Sequence, residues 1–201
     1  YLALLGGAQV KKGDPMRVLV ICGDHYHPAD VLQEGLAEFG QGEFALDWLL
    51  EADAWDATGL ADYPVALLAR SSGASPSGGE PWASDAVQAA LRDYVQRGGG
   101  LLCVHAGTAG YLDLPVMRGL VGGGFVQHPP QCPVTVIPVA GHPLTAGCAP
   151  FTLTDEHYHM ALDDAQADVF LTTRSEHGEQ PGGWARCEGA GRVAVLTPGH
   201  V

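Results

Sequence analysis

Basic residues are scarce in this chain. Its 201 residues include 10 Lys and Arg against 23 Asp and Glu, a formal net charge of −13. Binding to a phosphate backbone needs clustered cations, so this balance argues against a nucleic-acid partner. It also offers no positive patch to an anionic membrane. Long apolar runs are missing too: none approaches the ~20 residues of a spanning helix. The five cysteines (Cys22, Cys103, Cys132, Cys148, Cys187) are odd in number, widely spaced and form no C-x-x-C pair. That speaks against a disulfide framework or a Cys-type zinc site, and fits reduced thiols in a cytoplasmic protein. The glycine-rich stretch at 122–124 is followed by no Gly-Lys-Ser/Thr, so it is not a phosphate-binding P-loop.

What is present is the composition of a globular chain, 46% hydrophobic and only 16% charged, with 28 Gly and 14 Pro to make turns. Short apolar runs at Arg17–Cys22, Val65–Ala69, Leu101–Val104, Val134–Pro138, Val169–Thr172 and Arg192–Leu196 read as strands, the unalternated ones as strands buried on both faces. Phe44–Leu50 alternates weakly. Between them, Asp30–Phe39 predicts a short helix stopped by Gly40, and Ser84 caps a helix that runs to Gly98. A third short helix is expected over Leu112–Leu120. Gly73–Pro81 and Gly122–Pro130 read as loops. Strands alternating with helices predict an α/β fold with a doubly wound, mostly parallel sheet. Residues 1–15 are expected to be an extension or tag remnant, and 16–201 one domain.

In open α/β sheets, ligands bind beyond the carboxyl ends of strands. The segments that follow the strands here are Asp24-His25, Arg70-Ser71, His105, Glu156 and His200. His105 stands out. It follows a buried strand and is flanked by Ala106 and Gly107, at the place where hydrolases of related geometry put a nucleophile. A histidine there is a base, an acid or a metal ligand. If these ends converge, the pocket suits proton transfer on a neutral polar molecule, or a metal held by His and carboxylate. Alternatives stay open for single residues. His25 and His27 share H-x-H spacing or are simply solvated. Asp155-Glu156 is an N-cap pair or a solvated edge, or Glu156 joins a partly buried polar cluster with Tyr158 and His159. Trp184 is core or an apolar platform for a sugar ring. His142 reads as turn structure and His177 as surface.

Several ordered pieces resemble the trehalose-utilisation, or ThuA-like, family: Gly99-Gly100-Leu101-Leu102-Cys103-Val104-His105-Ala106-Gly107, Phe125 with His128-Pro129, His142-Pro143-Leu144-Thr145, Phe151 with Asp155-Glu156 and Tyr158, Pro181 with Trp184, and Gly189, Gly191-Arg192-Val193 with Gly199-His200. The resemblance implies a flavodoxin-like fold of the class I glutamine amidotransferase type and a link to carbohydrate metabolism. Amidotransferases of that fold carry a nucleophilic Cys at the elbow. Here His105 occupies it, so no glutaminase activity is carried over. The family continues beyond the Gly-His pair, and a further C-terminal segment completing the pocket is an expectation of the resemblance.

Together these point to an enzyme acting on a small-molecule carbohydrate, with His105, Glu156, His200 and His25 in catalytic roles and His128, Tyr158 and Trp184 contacting substrate. A zinc-like ion held by histidines and Glu156 is the second reading. A non-catalytic carbohydrate-binding or regulatory module is the third. Homo-oligomerisation is left open.

Overall fold

The computed structural model describes residues 14–39, 42–72, 81–163, 165 and 167–200. Gly40, nearly all of the extension at 1–15 and of the loop Gly73–Pro81 lie outside the described residues.

Five strands run parallel; four have side chains largely buried on both faces and the fifth, at the sheet edge, is half-buried throughout. They are β1 (Met16–Cys22), β2 (Phe44–Leu49), β3 (Val65–Ala69), β4 (Gly100–Val104) and β11 (Gly191–Leu196). They lie in the order β2-β1-β3-β4-β11, every pairing parallel. Alternate residues face opposite cores because side chains alternate along a strand. Leu19, Ile21, Leu68, Leu101 and Val195 face one core, shared with α2 (Asp85–Gln96) and α3 (Pro115–Val121). Val18, Val20, Leu67 and Ala194 face the other, against which α1 (Ala29–Gly35) lays Ala29 and Leu32. Ser84 caps α2, its hydroxyl accepting from Val87 N. Helix α1 ends at Gly35, four residues before the expected Phe39.

Beyond β11 the sheet changes character. β10 (Gly178–Glu188), β9 (Asp168–Ser175), β6 (Cys132–Pro138) and β7 (Phe151–Asp155) continue it, and every one of these pairings is antiparallel. The expected mostly parallel sheet is therefore a nine-stranded mixed sheet, with four parallel and four antiparallel pairings. Two-stranded sheet β5 (Gly123–Gln127) and β8 (His159–Leu162) completes the fold. β5 falls where a glycine-rich loop is expected. A Cβ on Gly123 would meet the Ala161 carbonyl oxygen of β8 at 2.3 Å, so glycine is what lets these two strands approach. Among the described residues no helix is long and apolar enough to cross a membrane.

Candidate active site

Three imidazoles gather at the carboxyl ends of the parallel strands. His105 follows β4 directly and opens the 3-10 turn His105–Thr108 with a left-handed φ of 44°. The turn is pressed so closely on β3 that a Cβ on Gly107 would sit 2.0 Å from the Leu68 carbonyl oxygen. The His105 ring is 2% exposed and stacks on Tyr158 with centroids 3.9 Å apart. Its Nδ1 lies 2.7 Å from the Thr197 carbonyl oxygen. A carbonyl only accepts, so Nδ1 carries the hydrogen and Nε2 presents its lone pair.

His27 sits in the loop after β1. Asp24 folds that loop: its Oδ1 accepts from the backbone N–H groups of Tyr26 and His27, each at 2.9 Å, and its Oδ2 from Ser71 N at 2.8 Å. The same carboxylate takes His27 Nδ1 at 2.9 Å, so this ring also turns its Nε2 outward. Burial opposes the charge on Asp24, but the His27 imidazole and these N–H groups outweigh it and hold the carboxyl well below its ordinary range. Arg70, at the end of β3, braces the base of the loop through the Gly23 carbonyl and Asp53. His200 follows β11. The three rings form a near-equilateral triangle, with centroids 5.3 Å (His27–His105), 5.3 Å (His27–His200) and 5.4 Å (His105–His200) apart.

The carboxylate comes from the antiparallel half. β7 lies four positions from β11 in the sheet, about 19 Å away if the sheet were flat. Yet Asp155, the last residue of β7, accepts from Gly199 N at 2.9 Å and His200 N at 3.2 Å just beyond β11. The sheet therefore curls, consistent with its twist and the register shifts within β10. Asp155 is fully buried and also accepts from Glu156 N at 2.8 Å. It ties the two halves together and places Glu156 over the histidines.

Glu156 Oε2 lies 3.4 Å from His105 Nε2, 3.3 Å from His200 Nδ1 and 3.6 Å from His128 Nε2. His128 Nδ1 is 2.8 Å from the Pro129 carbonyl oxygen, so it too presents Nε2. His105 Nε2 and His200 Nδ1 are buried and make no hydrogen bond. Ring nitrogens of three imidazoles thus face one carboxylate oxygen. Acceptors facing an acceptor repel, and only a proton or a cation between them resolves the contact. Burial raises the Glu156 carboxyl, but the His105 imidazole and the fields of His128 and His200 bring it below its ordinary value. For His200, burial dominates and lowers the ring, against the pull of Glu156. Burial, with Glu156 nearby, drives the Tyr158 phenol far up.

The expected residues His105, Glu156, His200, His128 and Tyr158 come together. His25 does not. It is exposed, edge-on to Tyr26, and His27 takes the place in the cluster. Trp184 is fully buried and donates Nε1 to the Val121 carbonyl at 2.9 Å, so it is core and not a platform. His142 caps its turn, accepting from Leu144 N. His27, Asp24 and Asp155 were missed as a working set. The available signal is Asp24, three residues before His27 and one glycine beyond an apolar strand. Cys103 is fully buried on β4, its thiol pushed up to about 12 by desolvation. Beside the imidazoles, Cys22, Leu32, Ala69 and Val104 line a cavity of about 30 Å³, room for an ion or a water. A groove of about 680 Å³ lies at the opposite strand ends beside Pro64, Gly99 and Ala190, and no histidine lines it.

Solved structures share this architecture. A ThuA-like protein of Bacteroides uniformis superposes with a TM-score of 0.71 at 20% identity, covering 96% of this chain and 86% of that one. A ThuA-like protein of Parabacteroides merdae gives 0.74 at 18% identity, covering 94% and 81%. A glutamine amidotransferase of Thermotoga maritima gives 0.60 at 13% identity, covering 92% and 76%. At these identities the likeness establishes the fold. No curated protein sequence matches the chain. The sequence model of one family, ThuA, described as trehalose utilisation, matches residues 17–201, and the chain belongs to that family.

Proposed function

We propose that this chain acts on a sugar or sugar derivative at the mouth of the histidine cluster, by proton transfer between Glu156 and the imidazoles around it. The carrying observation is the orphaned pair His105 Nε2 and His200 Nδ1, aimed at one carboxylate oxygen. Such an arrangement holds a proton that it can pass to or take from a hydroxyl or carbonyl oxygen. Membership of a family described as trehalose utilisation supports a carbohydrate as the substrate class. Access is from the His128 side, where that ring is one-third exposed while His105 is closed off. Tyr26, 58% exposed on the His27 loop, offers the apolar surface that Trp184 cannot.

The test is a turnover assay with trehalose and other sugars on wild type, Glu156→Gln and His128→Ala. A general acid–base pair contributes roughly 10²–10⁴-fold, so Glu156→Gln should lose at least about 100-fold in kcat. Turnover preserved in both variants would discard the site. Saturable binding with no turnover would favour the non-catalytic carbohydrate-binding reading.

A further inference from the structure

We infer that His27, His105, His200 and Glu156 bind one divalent cation of the zinc class; this rests on the reading that their cluster is the working site. These four residues can each offer one ligand atom, and the four atoms lie within 4.8 Å of one another. Two edges already have the right length. Zinc bonds to imidazole and carboxylate are about 2.0–2.1 Å, so a tetrahedron around the ion has edges of about 3.3–3.4 Å. Glu156 Oε2 stands 3.4 Å from His105 Nε2 and 3.3 Å from His200 Nδ1.

The outer contacts are those of ligating histidines. A metal-bound His usually donates its other ring N–H to a carboxylate or a backbone carbonyl, which fixes the tautomer and aims the lone pair. His27 gives Nδ1 to the Asp24 carboxylate and His105 gives Nδ1 to the Thr197 carbonyl. The burial of His105 supports the same conclusion. Its side chain is 2% exposed and its Nε2 has no hydrogen-bond partner, a costly state without something to coordinate. The adjoining cavity of about 30 Å³ accommodates an ion or a water but no sugar ring. Three imidazoles and one carboxylate select Zn²⁺, Co²⁺ or Ni²⁺ over Mg²⁺ and Ca²⁺, which prefer all-oxygen shells. His128 lies outside the four-atom set, 3.6 Å from Glu156 Oε2, and stays free to meet the substrate.

The experiment uses the untagged full chain, stripped with a chelator and titrated with Zn²⁺ alone by calorimetry. One ion per chain is expected. Affinity should fall at least 100-fold in His27→Ala, His200→Ala and Glu156→Gln, about 10- to 100-fold in Asp24→Asn through loss of the outer contact, and less than twofold in His25→Ala and His177→Ala. Co²⁺ added to stripped wild type supplies a readout independent of variant folding: the intense visible bands of a four-coordinate nitrogen–oxygen site. Absence of stoichiometric binding, of those bands, or of any difference between His27→Ala and His25→Ala overturns the inference. The sugar assay is scored separately. Failure to bind metal with turnover intact removes the ion and keeps the acid–base site. One bound ion with no sugar bound or turned over keeps the ion and removes the proposed activity.

Discussion

Strands β2, β1, β3, β4 and β11 run parallel and, apart from the half-buried edge strand β2, are largely buried, while β10, β9, β6 and β7 run antiparallel and expose much of their surface. The first group supplies position. Its strands end in turns that set His27, His105 and His200 within about 5.4 Å of one another, centroid to centroid. The second supplies charge, in the form of Glu156, and the buried Asp155 that carries it across. A site split this way has a rigid bank of imidazoles and a carboxylate delivered by the less buried half. The strength of the junction between the halves then decides whether the site exists.

The two halves also differed in how readable they were. Parallel strands buried on both faces are written as unbroken apolar runs, such as Val-Leu-Val-Ile-Cys in β1 and Leu-Leu-Cys-Val in β4. Their ends were therefore visible, and so were His105 and His200. The antiparallel strands carry Pro133, Pro181 and paired glycines inside them, residues that ordinarily end strands. β10, β5 and β8 have no strand signature in the sequence. Glycine in β5 and at Gly182-Gly183 is there because neighbouring strands and the Phe170 ring press against it, a tertiary fact with no local signature. His25 and His27 are equally plausible in sequence. Only the turn that Asp24 imposes separates them, exposing one and directing the other inward. Asp155 reads in sequence as one of an N-cap pair or a solvated edge, and its three backbone donors come from residues 156, 199 and 200.

If the parallel half is the frame, crowding it should cost most. In Gly107→Ala the new methyl would stand 2.0 Å from the Leu68 carbonyl oxygen and 2.8 Å from its carbon, both main-chain atoms of β3 that cannot swing aside. The expected loss is about 4 kcal/mol or more, at the upper end for overpacking. In a chain of this size that lowers Tm by roughly 8–16 °C. A thermal melt within 2 °C of wild type would show that β3 and the His105 turn are not rigidly pressed together.

Severing the junction comes next. Asp155→Ala takes the buried acceptor away from three N–H groups and should cost about 3 kcal/mol, or roughly 6–12 °C in Tm, with loss of activity in the fraction still folded. Asp155→Asn keeps one acceptor oxygen and should lie between that variant and wild type. If Asp155→Ala melts normally yet is inactive, the carboxylate positions Glu156 without joining the halves. If it is normal in both respects, the division of labour drawn above is wrong.

The smallest effect isolates the frame from the chemistry. His105 holds φ at 44°, in the left-handed region where a side chain costs roughly 1–2 kcal/mol. Replacing it directly with glycine would mix relief of that strain with loss of the ring, its Tyr158 stack and its Thr197 bond. Comparing His105→Gly with His105→Ala removes the ring from both and leaves the backbone as the difference. Glycine gains by tolerating the conformation and loses part of that gain because its unfolded chain is freer, by about 0.4–1 kcal/mol. The glycine variant should therefore be more stable than the alanine variant by roughly 0.5–1 kcal/mol, about 1–4 °C in Tm, and both should be inactive. That ordering would mean the fold keeps a strained residue at the tip of β4 because that backbone aims the buried His105 ring at Glu156, the pattern expected where strain serves function. Equal stabilities would place the strain elsewhere and leave the unusual backbone of His105 without an energetic cost to explain.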